Sequence, residues 1–536
     1  MSIVGILIAL GLLVWLAYRG WSILLLAPLC ALIAALLAGQ PLLANWTQTF
    51  MSNAAGFVAQ FFPIFLLGAL FGKLMEASGS VEAIAKYLTE RLGTKRAILA
   101  IVLAGAFVTY GGVSLFVAFF VLAPMGHALF KAANIPHRLM PAAIALGTST
   151  FTMSAMPGTP AIQNAKPMPF FGTNPFAAPG LGLIASAIML GFGLWWLARA
   201  EAGARRAGEA YDYTDPTDTA AADGILRERA TTAREFDPEE IARGAHAAAL
   251  PPFALAALPL VTVVSVNLIM SFGVLPKIDA SFLGNEQWGA TSLAAVGGVW
   301  SVIVALAVAI VVLVATNFNR LPTLRVTMDA GANAAVLPII SVASLVGFGA
   351  VVASLPAFEA VKTWVLGIDG GPLVSLAVAT NILAALTGSA SGGMTIALDA
   401  LGPTYMQTGL DPSLMHRVAV IGAGTLDSLP HNGAVVTLLA VCGSKHRESY
   451  RDIVMTAIVG PIVDAAGSFE YCGMINVKNA HGGYDGWQPF LATITTARGA
   501  ITGGTIAAIN AGNKPENRDV LPKLCRQKGF EPGALN

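Results

Sequence analysis

Stretches free of lysine, arginine, aspartate and glutamate alternate along this chain with short polar segments. About eleven apolar runs fall near 2–18, 21–39, 54–72, 97–122, 139–161, 180–198, 246–271, 290–316, 331–353, 372–398 and 418–441, the last interrupted by Asp427. A bilayer-spanning helix needs roughly 20 mostly apolar residues. The pattern therefore predicts an all-α polytopic membrane protein with about ten to twelve transmembrane helices. The first run starts at Met1 with no basic segment ahead of it and no small-residue cleavage pattern behind it, so it is expected to be retained rather than removed as a signal peptide.

Polar positions cluster between the runs. Segment 199–245 holds eleven acidic and seven arginine residues and no periodic apolar face, which predicts a partly disordered hydrophilic connector between a first membrane repeat, 1–198, and a second, 246–463. Lys73, Lys86, Arg91, Lys95 and Arg96 share one loop, Arg320 and Arg325 a second, and Lys445, Arg447 and Arg451 a third. Positive charge is retained in the cytoplasm, so all three loops and the connector are expected there, with 40–53, 272–289 and 354–371 outside. The crossing count then works if 139–161 and 418–441 turn back without crossing, as two re-entrant hairpins.

Local sequence gives those two segments matching punctuation. Thr152 and Pro157 in the first, and Thr425 and Pro430 in the second, are each separated by four residues, and proline interrupts a helical ladder. Upstream, Gly111-Gly112 and Gly392-Gly393 interrupt 97–122 and 372–398, and His137-Arg138 and His416-Arg417 follow at similar spacing. These correspondences predict inverted repeats with two hairpins and two broken helices. Paired interruptions of this kind mark the midplane site of a transporter, where helix ends and freed backbone groups face a protein-lined cavity. Any single glycine or serine is better explained by close helix packing, but four interrupted elements in matched pairs are not.

Composition narrows the function. The chain is 55% hydrophobic and 11% charged, far below the charged share of about 25% in soluble domains, and its net charge of +1 leaves no footprint for nucleic acid. No Cys/His cluster has metal-ligand spacing and no phosphate-binding loop is present, so no cofactor, metal or ATP-driven chemistry is expected. Asp427 and His431, four residues apart in an apolar run, are the candidate proton-coupling pair, since an aspartate at bilayer depth costs at least ~2.5 kcal/mol and is retained for a reason. The competing reading makes Asp427 a helix cap and His431 a tip residue facing water.

Thr109-Tyr110-Gly111-Gly112-Val113-Ser114, Ala155-Met156-Pro157-Gly158-Thr159-Pro160 and Asp427-Ser428-Leu429-Pro430-His431-Asn432-Gly433 give residues 1 to about 463 a resemblance to the gluconate:proton symporter (GntP) family of bacterial inner-membrane permeases. The resemblance implies proton-driven uptake of a small hydroxy-carboxylate, gluconate or a relative such as 3-hydroxybutyrate. Carried over by position, it implies a site lined by Gly111, Gly112, Ser114, Thr152, Ser154, Pro157, Gly158 and Thr159 from one half. The other half would supply Ser389, Ser391, Gly392, Gly393, Thr425, Ser428 and Asn432, with Asp427 and His431 for the proton. The expected partners are an organic anion, protons and the lipid bilayer, with homo-oligomerisation left open. A sodium-coupled or antiporting carrier of the same architecture is the alternative, and a membrane-embedded enzyme a remote one, because the runs lack clustered catalytic charges.

The family pattern leads one to expect a full final helix. Here the last apolar stretch covers 453–463, and eleven residues reach only about 16 Å. The polar tail, 464–536, has a separate character; Cys472 and Cys525 could pair there, and a catalytic reading of Cys472, His481 and Asp485 is weaker than that of ordinary turn residues.

Overall fold

A computed structural model describes residues 2–18, 21–212, 249–321, 323–368, 371–387, 390–430, 432–459, 461, 469–478, 484–497 and 500–507. The chain forms two units, Met1–Gly460 and Pro461–Asn536. Most of the predicted connector lies outside the described residues, as do Ser389, His431 and Cys525.

The first unit is helical. α1 (Ser2–Tyr18) and α2 (Ile23–Leu37) pack antiparallel, with Gly5 against Leu37. α3 (Leu42–Ala77) follows without the outer loop expected over 40–53: the helix begins at Leu42 and runs 36 residues, because nothing in that segment other than Pro41 stops it. Among the described residues, five helices are individually long and apolar enough to cross a membrane: α3, α8 (Pro179–Arg206), α9 (Phe253–Lys277), α10 (Leu293–Arg320) and α11 (Leu324–Ser354). The remaining membrane-embedded chain consists of shorter helices joined at breaks.

The breaks correct the assignment of the hairpins. After α4 (Ser80–Leu92) the chain bends by 103° into α5 (Ala97–Tyr110), turns at Gly111-Gly112 and returns as α6 (Leu115–Ala133). Gly105 faces Leu122 and Gly126 lies near Ile101, a register that only an antiparallel pair produces. In the second half, beyond α12 (Phe358–Leu366), α13 (Pro372–Thr387) and α14 (Ala390–Met406) do the same, with Gly393 seated against Leu383 and Ala384. The chain therefore reverses beside the glycine pairs and not at the prolines: at Gly111-Gly112 in the first half, and between Thr387 and Ala390, just ahead of Gly392-Gly393, in the second. Small residues let the two arms touch along their length, whereas proline removes one hydrogen bond without dictating a reversal.

The proline-bearing segments instead run through the bundle. The first comprises α7 (Met140–Thr148), one turn over Phe151–Ser154, an unwound stretch to Ala161, and two short turns, Ile162–Ala165 and Pro167–Phe171. The second comprises α15 (Pro412–Thr425), an unwound stretch, and α16 (Gly433–Val441). They cross antiparallel: Ala145 and Ser149 share a cavity wall with Val435 and Leu438, Gly424 lies against Ser154, and His416 Nε2 is 3.2 Å from Asn164 Oδ1. With the hairpins reassigned, counting crossings still puts the three basic loops at one end of the bundle. α17 (His446–Val454) begins at that end and continues as a wider turn over Met455–Val459.

The second unit contains a three-stranded antiparallel sheet, β1 (Phe469–Lys478), β2 (Tyr484–Ala497) and β3 (Ala500–Ala507), in which Phe469 pairs with Ile494 and Leu491 with Ala507.

Candidate functional site

Each hairpin tip is tied to the break of its own half. In the first, the Tyr110 hydroxyl donates to the Pro157 carbonyl at 3.0 Å, the Thr109 hydroxyl lies 3.2 Å from that of Thr152, and Gly112, at φ +99°, sits against Pro160. In the second, the Ala390 amide donates to Asp427 Oδ1 at 2.7 Å and the Leu426 amide donates to Asn381 Oδ1 at 3.0 Å. Asn432 then does double duty: its Nδ2 donates to Asp427 Oδ1 at 2.6 Å while its Oδ1 caps α16 by accepting from Ala434 N. One carboxylate thus gathers a hairpin tip and the start of the following helix.

Two cavities meet at the crossing. The smaller, about 20 Å³, holds space for a single water and is walled by Ser149, Ser154, Asp427 and Ser428 among others. The larger, about 190 Å³, extends along α3 from Ile64 to Glu76 and takes in Gly112, Ser114 and Ser391. Leu115, Met153 and Gln163 line both and form the partition between them.

The residues expected from sequence divide into two groups. Gly112, Ser114, Ser154, Ser391, Asp427 and Ser428 line a cavity. The other described ones make contacts within the helix bundle. Gly111 is there because any side chain would strike Leu260 of α9, and Gly393 because one would strike the α13 backbone. Gly392 lies beside it in the first turn of α14. The Thr152 hydroxyl is taken up by the carbonyls of Gly147 and Thr148, and that of Thr425 by Ile421. Pro157, Gly158 and Thr159 line neither cavity: the Gly158 amide donates to Pro175 and its carbonyl accepts from Asn267, while the Thr159 carbonyl accepts from Asn164.

Several polar residues at the site escaped the sequence reading. Lys166, fully buried, donates to the Ser391 carbonyl at 2.8 Å and lies 4.8 Å from the centre of the Phe57 ring, which ties the first broken segment to the second hairpin. It is the sole charge between Arg138 and Arg199, a signal available from the sequence. Gln163 falls between the apolar runs 139–161 and 180–198, where nothing in the sequence marks it.

The matched His-Arg pairs grip the two ends of α8. At its start, Arg417 Nη2 donates to Ala177 O at 2.9 Å and Nε to the same oxygen at 3.1 Å, while His416 Nδ1 is 2.6 Å from the Thr173 hydroxyl. Beyond its end, Arg138 Nε donates to Glu209 at 2.9 Å and His137 Nδ1 is 2.9 Å from Asp212 Oδ1. Both Arg417 and His416 are fully buried, whereas Arg138 is partly exposed. The 172–178 segment is consequently anchored at the end opposite the basic loops.

Among the described residues no group of three histidine, cysteine, aspartate or glutamate side chains is arranged to hold a metal.

Comparison with known proteins places the chain among permeases. Residues 1–168 match the model of the GntP family permeases. The chain is 42% identical over 470 residues to the uncharacterized transporter YxjC of Bacillus subtilis (strain 168), covering 86% of this chain and 96% of that protein. It is 32% identical over 139 residues to the high-affinity gluconate transporter of Escherichia coli (strain K12), covering 25% of this chain and 30% of that one. The crystal structure of the Alcanivorax borkumensis YdaH transporter superposes with a TM-score of 0.46 at 16% identity, over 79% of this chain and 89% of that one.

Proposed function

The chain belongs to the GntP family of permeases and is a multi-pass transporter of the bacterial inner membrane rather than an enzyme, and from that premise we propose that it takes up gluconate or a related small hydroxy-carboxylate, such as 3-hydroxybutyrate, by proton symport. The observation that carries the reading is the position of Asp427. Its carboxylate holds the Ala390 amide and the Asn432 side chain at the wall of a water-sized cavity. An ionised carboxylate accepts both bonds; a protonated one presents a donor and weakens its grip on two N–H groups. Protonation would thereby loosen the second hairpin, which is how a proton would be converted into movement.

The anion would sit in the larger cavity beside Gly112, Ser114, Gln163 and Ser391. The N-terminus of α14, which begins next to Ser391, favours negative charge there. With the anchored 172–178 segment as the seal on the far side and the cavity extending to Glu76, this conformer would be the one open toward the cytoplasm, given the positive-inside orientation. Alternating access would exchange that seal for one near Lys73.

Uptake of labelled gluconate and 3-hydroxybutyrate into proteoliposomes under an imposed proton gradient tests the reading, with accumulation as the expected result. Accumulation under a sodium gradient alone would move the coupling to the alternative cation. Absence of hydroxy-acid uptake under both gradients would overturn the substrate class.

A further inference from the structure

The larger cavity carries an ion pair that belongs to neither break. Lys73 and Glu76 lie one turn apart on α3, Nζ to Oε2 3.1 Å, and both line the cavity with side chains only 10% and 12% exposed. They are the charged members of its wall among the described residues; the rest is apolar or neutral. Gly331 of α11 backs the lysine stem, since a Cβ added there would stand 3.3 Å from Lys73 Cβ. The stem is hemmed in on that side, leaving the ammonium toward Glu76 and the cavity.

A largely buried pair of this kind contributes little net stability, but stranding one partner without the other is costly. A carboxylate arriving in the cavity therefore faces two unequal choices. Against the apolar wall it gives up hydration with nothing in return. On Lys73 it takes the place of Glu76 with charge and hydrogen bond conserved, and the displaced Glu76, nearer the end of α3, can turn toward water. The exchange is close to neutral, as a station for release requires.

We propose that Lys73 receives the carboxylate of the transported anion at the basic end of the cavity and that Glu76 is its resident competitor. The inference rests on the organic-anion reading given above and extends it to selectivity. A monocarboxylate replaces Glu76 cleanly, whereas a second carboxylate on the substrate would face the displaced Glu76, so dicarboxylates are disfavoured.

Calorimetric binding to the purified full-length protein, with gluconate, 3-hydroxybutyrate, acetate and malate as probes, tests this. Lys73→Gln is expected to weaken monocarboxylate binding about tenfold, the worth of one charge-assisted hydrogen bond. Lys73→Arg should stay within about threefold, and Glu76→Gln should bind about tenfold tighter and gain affinity for malate. Unchanged binding in both Lys73→Gln and Glu76→Gln overturns the proposal. If Lys73→Gln does not fold, the Glu76→Gln and Lys73→Arg arms decide it alone. Lys73-dependent binding of acetate without binding of either hydroxy-acid keeps Lys73 as the receptor and removes the hydroxy-acid reading; no binding of any carboxylate overturns both.

Discussion

Asp427 accepts the backbone amide of Ala390 at 2.7 Å across 37 residues, so the hinge of the second broken helix and the tip of the second hairpin share one hydrogen bond. Asparagine at 427 keeps an oxygen for that amide but cannot gain or lose a proton near neutral pH. Asp427→Asn is therefore expected to abolish proton-driven accumulation while counterflow exchange continues. Asp427→Ala removes the acceptor as well and should cost about 1–3 kcal/mol of stability. Paired uptake and exchange assays, with a melting curve for each variant, check both outcomes. Full accumulation by the asparagine variant would remove Asp427 from the proton route.

Glycines at the hairpin contacts are predicted to be intolerant. A side chain at Gly393 would collide with the backbone of Leu383 and Ala384, and one at Gly147 with Val102. Valine at either position should cost several kcal/mol or prevent folding, as overpacking against rigid backbone does. Gly191, with open space around it, provides the control. Size-exclusion profiles of the three variants report the result, and a monodisperse Gly393→Val protein would contradict the hairpin register.

Arg417→Lys should open the seal at the start of α8. A guanidinium spans Ala177 O and Pro175 O with a planar fork, which a lysine ammonium cannot reproduce from the same backbone position. A lower melting temperature is expected, together with faster modification of a cysteine placed at Ala177. Unaltered modification would mean that the 172–178 segment is held by other contacts.

Sidedness can be read directly. In a background without native cysteines, a cysteine at Glu209 should react with an impermeant reagent only in inverted vesicles, and one at Ser281 only in right-side-out cells. Both positions are exposed. Reaction of both from the same face would contradict the crossing count.

Much of this arrangement was legible in the sequence. The apolar runs mark the helices, and the paired Gly and Pro interruptions lie at or next to the places where helices stop, Gly392-Gly393 just inside the start of α14. Which interruption reverses the chain was not legible, because proline and glycine both end a helical ladder. Reversal depends on what the next helix packs against: Leu122 can close on Gly105, and α14 on α13, since neither glycine has a side chain in the way. Lys166 was hidden differently. A charge next to two prolines reads as loop, and only the fold shows it enclosed beside the carbonyl of Ser391, 225 residues away. Likewise His137-Arg138 and His416-Arg417 look equivalent in sequence, yet one pair lies near the rim and the other is buried, because Thr173, Pro175 and Ala177 close over the second.

Where the broken segments cross, Ser154 meets Gly424 so closely that a Cβ on the glycine would lie 2.9 Å from the serine's own. Volume at this spot is common property of the two halves. A methyl group acquired at 424 has to be surrendered at 154, so Gly424→Ala combined with Ser154→Gly should be tolerated better than Gly424→Ala alone. The two halves of the gene, joined end to end in one chain, are in this respect no longer free to drift apart.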